Sequence, residues 1–153
     1  MIYLKGKITK DIRIRKAVVK DAAQISSLLG ELGYPNTKAF AQEKISKLVK
    51  SDNDTVIVAD VDGKVIGIAH LHIAELFHEP GKLGRIMAMV VNKNCRQAGI
   101  GQRLMNSLET TARNLGCSKM EVTSASHRND AHKFYLGLGY IENPKRFIKM
   151  LDK

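Results

Sequence analysis

The sequence predicts an α+β domain, a mixed β-sheet with helices on its faces. Three observations carry this expectation. Strand-like and helix-like segments follow one another in the order β-α-α-β-β-β-α-β-α-β. No internal repeat, low-complexity tract or long linker divides the 153 residues, a length suited to one domain with a substantial core. Apolar residues make up 44% and charged residues 26%, the balance of an ordinary globular protein.

The elements follow from local pattern. Ile12-Arg13-Ile14-Arg15 alternates with period two and reads as the first strand. Asp21 is the expected N-cap of a helix whose apolar stripe is Ile25, Leu28, Leu29 and Leu32. Gly33 closes that helix, with Pro35 as a stop. A second helix is expected from about Thr37 to Lys50, with Phe40, Ile45, Leu48 and Val49 inward. Thr55 to Ala59 is a β-branched strand, Asp62-Gly63 a hairpin turn, and Val65 to about Leu76 the return strand. Arg85 to Val91 is a nearly continuous apolar run, expected to be a strand buried on both faces. Helix follows from about Gly99 to Leu115, apolar at Ile100, Leu104, Leu108 and Ala112, and Gly116 ends it. Met120 to Ala125 is a strand, Asp130 to Leu138 a shorter helix, and a final β segment runs through Phe147 to Leu151.

Composition narrows the function classes. The longest apolar stretches fall far short of the ~20 residues that span a bilayer, so no membrane role is expected. Met1 to Lys10 alternates Lys with apolar residues and lacks the apolar block of a signal peptide; a cytoplasmic location is the expectation. Cys95 and Cys117 form neither a disulfide framework nor a CxxC, and no metal site is expected. The net charge of +10 suits a polyanionic partner. The basic residues are scattered, with one aromatic pair (Phe134, Tyr135) and no arginine-rich tract, which makes a poor nucleic-acid platform. A small molecule bearing several phosphates fits the charge equally well.

The strongest local signal is Arg96-Gln97-Ala98-Gly99-Ile100-Gly101, between the buried strand and an amphipathic helix. A turn of this kind leaves backbone N–H groups unpaired at the positive end of a helix. Glycine lets the main chain approach a ligand, and such concave amides hold phosphate or pyrophosphate. Walker and dinucleotide loops are excluded, because neither GK[ST] nor GxGxxG is present. Two glycines alone are equally compatible with a plain tight turn.

What accompanies the loop decides between these readings. Ile86-Met87-Ala88-Met89-Val90-Val91-Asn92, followed by Arg96-x-x-Gly99-x-Gly101, resembles the acetyl-CoA-binding motif of the GNAT superfamily of N-acetyltransferases. Downstream, Ala131-His132-Lys133-Phe134-Tyr135 and then Gly139-Tyr140 resemble that family's next motif. The resemblance covers nearly the whole chain. It implies a mostly antiparallel central sheet with helices on both faces and a single N-acetyltransferase domain over residues 1–153. One departure is visible: the position where many members carry Asn is Arg128 here, with Asn129 one place later.

By that resemblance, the backbone of Met89, Val90 and Val91 binds the pantetheine arm as an added strand would. An N–H of Met89 or Val90 polarises the thioester carbonyl. Arg96 and the amides of Gln97, Ala98, Gly99, Ile100, Gly101 and Gln102 hold the pyrophosphate, with Arg128 and Asn129 as further cofactor contacts. Tyr135 is the expected acid for the departing thiolate. The base is left open among His72, Glu75, Glu121, His127 and a water chain. The acceptor is expected to be an amine on a small molecule, in a pocket drawn from Glu31 to Phe40, Phe77 to Leu83 and Pro144 to Phe147. Lys145-Arg146-Phe147-Ile148-Lys149 reads either as a site for an acidic substrate group or as a solvated face. Transfer to a protein N-terminus or lysine, and acetyl-CoA binding without turnover, are the alternatives. A homodimer is compatible with the resemblance.

Overall fold

The computed structural model describes residues 3–4, 7–8, 11–96 and 98–151. They fall into two compact units that part between Thr123 and Ser124. The first unit opens with a short antiparallel pair, β1 (Tyr3–Leu4) and β2 (Lys7–Ile8), where sequence reading placed no strand; the remainder of residues 1–10 lies outside the described residues. Then come β3 (Arg13–Lys16), a single 3-10 turn (Val19–Asp21), α1 (Ala22–Leu32), α2 (Ala41–Val49), β4 (Asp54–Val61), β5 (Lys64–Glu75) and β6 (Lys82–Val91). A second 3-10 turn (Lys93–Cys95), α3 (Ile100–Asn114) and β7 (Cys117–Val122) complete the unit.

The main sheet runs β3-β4-β5-β6-β7. Pairings from β3 to β6 are antiparallel, and β6 with β7 is parallel, as the α3 crossover between them requires. The mixed sheet is as the sequence predicts, and its mostly antiparallel pairing is as the family resemblance implies.

Helices cover both faces of this sheet. On one face, the row Val58–Ile68–Val90 packs with Ile25 and Leu28 of α1 and Ile45 of α2. On the other, Gly67 and Gly84 leave room for α3: a Cβ on Gly67 would lie 3.1 Å from Leu104, and one on Gly84 3.3 Å from Ala112. The α3 stripe Ile100, Leu104, Leu108 and Ala112 is buried throughout, as its spacing predicts. Each fully buried Leu there contributes roughly 1.5–3 kcal/mol. The β4–β5 hairpin turns at Asp62 (φ 51°) and Gly63 (φ 87°), both left-handed as a two-residue turn demands. Asp60 Oδ1 accepts the Gly63 N–H at 2.6 Å.

Several expectations need correcting. Asp21 makes no capping bond to α1. Its buried carboxylate instead accepts both terminal nitrogens of Arg15, at 2.8 and 2.9 Å, and the Val18 N–H at 2.9 Å. A full guanidinium charge outcompetes the helix amides for the same oxygens. Phe40 and Val49 are half-exposed: α2 seats Ala41 and Ile45 on the sheet, and Phe40 and Val49 stand at its two ends. β6 is not buried on both faces: Arg85 and Met87 are exposed.

The second unit contains α4 (Asn129–Gly137), close to its predicted span. Among the described residues 138–151 there is no strand, and Phe147, Ile148, Met150 and Leu151 are exposed. Apolar residues at 147, 148, 150 and 151 suit a strand, but a strand exists through ladder bonds to a neighbour, and this segment makes none among the described residues.

Candidate active site

The β6 strand changes character midway. Its parallel pairing with β7 ends at Ile86 opposite Val122, so the outer edge of Met87–Val91 has no ladder partner among the described residues. On the inner side, Ile86 faces Leu71 and Ala88 faces His70, which leaves Met87 as an extra residue in a β-bulge. A strand with one free edge can accept an extended amide chain as a further strand. Met89, Val90 and Val91 lie on this stretch, with Val90 and Val91 buried and Met89 half-buried.

The loop that follows is tied down at its start and open at its end. Asn92 N–H donates to Ile66 O at 2.8 Å, Asn94 N–H to Asn92 Oδ1 at 2.9 Å, and Cys95 N–H to Asn92 O at 2.8 Å. Lys93 N–H donates to Glu31 Oε2 at 3.0 Å. These four amides are already paired within the protein, so an anion has to be met further on. Arg96 donates through Nε to Val91 O at 3.1 Å, clamping the loop to the strand end and leaving the rest of the guanidinium to other partners. Gln97 lies outside the described residues.

Gly99 sits at φ 79°, a left-handed conformation that favours glycine, and a Cβ there would meet no atom within 4 Å among the described residues beyond its chain neighbours. The first helical bond of α3 is Arg103 N–H to Gly99 O at 3.1 Å, so the amides of Ile100, Gly101 and Gln102 precede the ladder. Among the described residues no side chain caps this terminus, and its first turn holds no acidic residue. The positive end of a 15-residue helix therefore stands uncompensated, as a diphosphate site needs. Ile100, buried beneath it, fixes the turn to the core.

A polar row crosses the same sheet on the face away from α3. Asp54, His72, Arg85 and Glu121 are successive cross-strand partners on β4, β5, β6 and β7. His70 shares the His72 face two residues earlier. Asp54 Oδ1 lies 2.7 Å from His70 Nε2 and 3.0 Å from His72 Nδ1, and Asp54 Oδ2 accepts Ser51 Oγ at 2.7 Å. Burial pushes the Asp54 carboxyl up, but the Ser51 and histidine bonds outweigh it and hold it below the usual range. Of the other sequence candidates for the base, Glu121 is engaged by Arg85 at 2.6 Å, and Glu75 is exposed beside Lys82 at 3.6 Å. His127 is exposed in the second unit. His70 and Asp54 were not singled out from sequence. The His70-x-His72 spacing on one strand face was a usable signal, whereas the link to Asp54 depends on strand register.

In the second unit, Arg128 stands at the α4 N-cap without a side-chain capping bond, and Asn129 opens the helix. His132 Nε2 lies 2.8 Å from Ala125 O, fixing the entry to α4. Tyr135 packs edge-on against Phe134 and Tyr140, with ring centroids 5.1 and 5.9 Å away. Burial raises its phenol pKa, against the opposing pull of Arg128, so the hydroxyl keeps its proton at neutral pH. Met89–Gln102 thus belong to the first unit and Arg128, Asn129 and Tyr135 to the second.

The profile of the acetyltransferase (GNAT) family matches residues 23–140. The chain is 31% identical over 140 residues to aminoalkylphosphonate N-acetyltransferase of Salmonella typhimurium, covering 90% of each protein. It is 29% identical over 123 residues to a probable glucosamine 6-phosphate N-acetyltransferase of Drosophila melanogaster, covering 79% of this chain and 55% of that protein. Among solved structures, glucosamine-6-phosphate N-acetyltransferase from Arabidopsis thaliana shares the fold, with a TM-score of 0.80, 21% identity, and coverage of 94% of this chain and 100% of that one. A match of this extent, on a chain whose sheet opens beside an uncompensated helix terminus, shows that the protein belongs to the acetyltransferase (GNAT) family, whose members use acetyl-CoA, and is an N-acetyltransferase.

Proposed function

We propose that this protein transfers the acetyl group of acetyl-CoA to a primary amine of a small molecule, by direct attack in a ternary complex within a single catalytic domain. The observation that carries the reading is the unpaired edge of Met87–Val91, which leads through a clamped loop into the bare amino end of α3. Along that edge the backbone of Met89, Val90 and Val91 pairs with the pantetheine amides, and an N–H of Met89 or Val90 stabilises the developing oxyanion. One well-placed donor of this kind contributes on the order of 3 kcal/mol. Arg96 and the amides from Gln97 to Gln102 neutralise the diphosphate, and Arg128 and Asn129 add further cofactor contacts.

The neutral amine attacks the thioester carbonyl carbon, forming the C–N bond. Collapse of the tetrahedral adduct breaks the C–S bond, and Tyr135 protonates the departing thiolate. The adduct nitrogen gives up its remaining extra proton and restores the phenol. The two relatives act, by their names, on amines that carry a phosphonate or phosphate group. With the net charge of +10, that supports an acceptor with an anionic phosphorus group.

Thiol release from acetyl-CoA, measured against aminoalkylphosphonates, amino sugar phosphates, polyamines, aminoglycosides and peptides, tests the reading. Release with an amino phosphonate or phosphate is expected; release with peptides alone would overturn it. Tyr135→Phe is expected to lower kcat about tenfold or more with acetyl-CoA affinity retained. Gly99→Asp is expected to abolish acetyl-CoA binding in a titration, because it sets a carboxylate against the diphosphate.

A further inference from the structure

We infer that His72 is the group that takes the proton from the acceptor ammonium, and that Asp54 is the positioning residue that presents its Nε2 for this step. The inference rests on the acetyl-transfer reading above and names its missing base.

The argument begins at the shared oxygen. An ionised carboxylate only accepts hydrogen bonds, so both histidines must be donors to Asp54 Oδ1. His72 donates from Nδ1 and is held as the Nδ1–H tautomer, with its lone pair on Nε2. His70 donates from Nε2, the opposite tautomer, so its ring is turned with Nε2 toward β4. Among the described residues Nε2 of His72 has no hydrogen-bond partner, and the His72 side chain is 40% exposed against 16% for His70. One imidazole is packed and braced; the other is braced at one nitrogen and open at the other.

The position of this pair on the sheet is the second observation. His72 stands opposite Arg85, the residue before the last β6–β7 pair, and His70 stands opposite Ala88, just past the Met87 bulge. The two histidines therefore straddle the point where β6 parts from β7, on the face not covered by α3. The charged groups sharing the row are Asp54 on β4, Arg85 on β6 and Glu121 on β7; the last two pair with each other at 2.6 Å. That pairing leaves His72 as the uncommitted titratable group of the row. The two ring nitrogens contact the carboxylate directly, and no three such side chains among the described residues are spaced to hold a metal. A carboxylate shared by two imidazoles, one of them open at its second nitrogen, has the parts of a proton relay.

The balance is simple. The acceptor arrives as an ammonium; one N–H bond breaks, its proton forms a bond to Nε2, and the electron pair stays on nitrogen for attack. The imidazolium, its charge stabilised by Asp54, returns the proton to water after product leaves.

The test compares His72→Gln and Asp54→Asn with the unaltered chain, using two acceptors of one skeleton: an alkylamine, protonated at neutral pH, and its O-alkylhydroxylamine counterpart, unprotonated there. With the alkylamine, His72→Gln is expected to lose about 100-fold in kcat and Asp54→Asn at least about tenfold. KM for acetyl-CoA should stay constant. With the hydroxylamine both losses should largely vanish, which a merely structural role would not produce. Equal losses with the two acceptors, or none, would overturn the inference while leaving acetyl transfer standing. An unaltered chain that releases no thiol with any amine would overturn both. If Asp54→Asn fails to bind acetyl-CoA, His72→Gln alone decides.

Discussion

Two carboxylate sites in the first unit use the same residue type to opposite ends. At the β3–β4 edge, Asp21 and Asp60 are both claimed by Arg15, with Asp60 Oδ2 2.7 Å from Arg15 Nε. At the β4–β5 pair, Asp54 is claimed by His70 and His72. Arginine never gives up its proton, so the Arg15 site is a permanent ionic clamp. Imidazole can both give up and take up a proton, so the Asp54 site can take part in a reaction. The partner, rather than the carboxylate, decides whether a buried acid is scaffold or chemistry.

The comparison can be broken at the clamp first. Asp21→Ala leaves the half-buried Arg15 with Asp60 as its carboxylate partner, and the loss of its charge-assisted hydrogen bonds to Asp21 is expected to cost about 1.5–3 kcal/mol. A urea titration should show that loss, with thiol release per folded molecule unchanged. A loss below about 1 kcal/mol would mean that the clamp adds little.

Acid is the next lever. Arg15 holds Asp21 low, its hydrogen bond prevailing over the opposing burial; burial pushes Asp60 up, but the Arg15 and Gly63 bonds together hold it low. A depressed folded pKa contributes stability that is full above the ordinary carboxylate value near 4 and drains as pH falls through the folded value. Melting temperature should therefore hold from neutral pH to about 4 and drop below it. The drop should be shallower in Asp21→Ala.

The smallest effect is expected at Glu121, whose pair with Arg85 is half-exposed. Glu121→Gln should change stability by less than about 1 kcal/mol and leave the dependence of rate on amine pKa intact. A variant that removed that dependence would shift the base from His72 to Glu121.

Much of this was legible in sequence. The α3 stripe, the Asp62-Gly63 turn and the strand–loop–helix passage from Ile86 to Gly101 all follow from local pattern, because each depends on neighbours within a few residues. The Asp54–His72 contact does not. Continuing the register of the β4–β5 turn, Val61 opposite Lys64 and Asp60 opposite Val65, would set Asp54 against Leu71. Instead Ile66 is bulged out, the pairing slips by one, and Asp54 meets His72.

Sequence by itself determined the helices and the strands of the main sheet, where the anion-ready turn falls, and which superfamily the chain resembles. Those features are written in spacing and in the few conformations that glycine, proline and β-branched residues allow. Only the tertiary structure decided that Asp21 braces Arg15 instead of capping α1, that residues 147–151 form no strand, and that β6 parts from β7 after Ile86. Each of these is a competition among partners distant in the chain, and its outcome depends on which donor or strand edge is brought within reach.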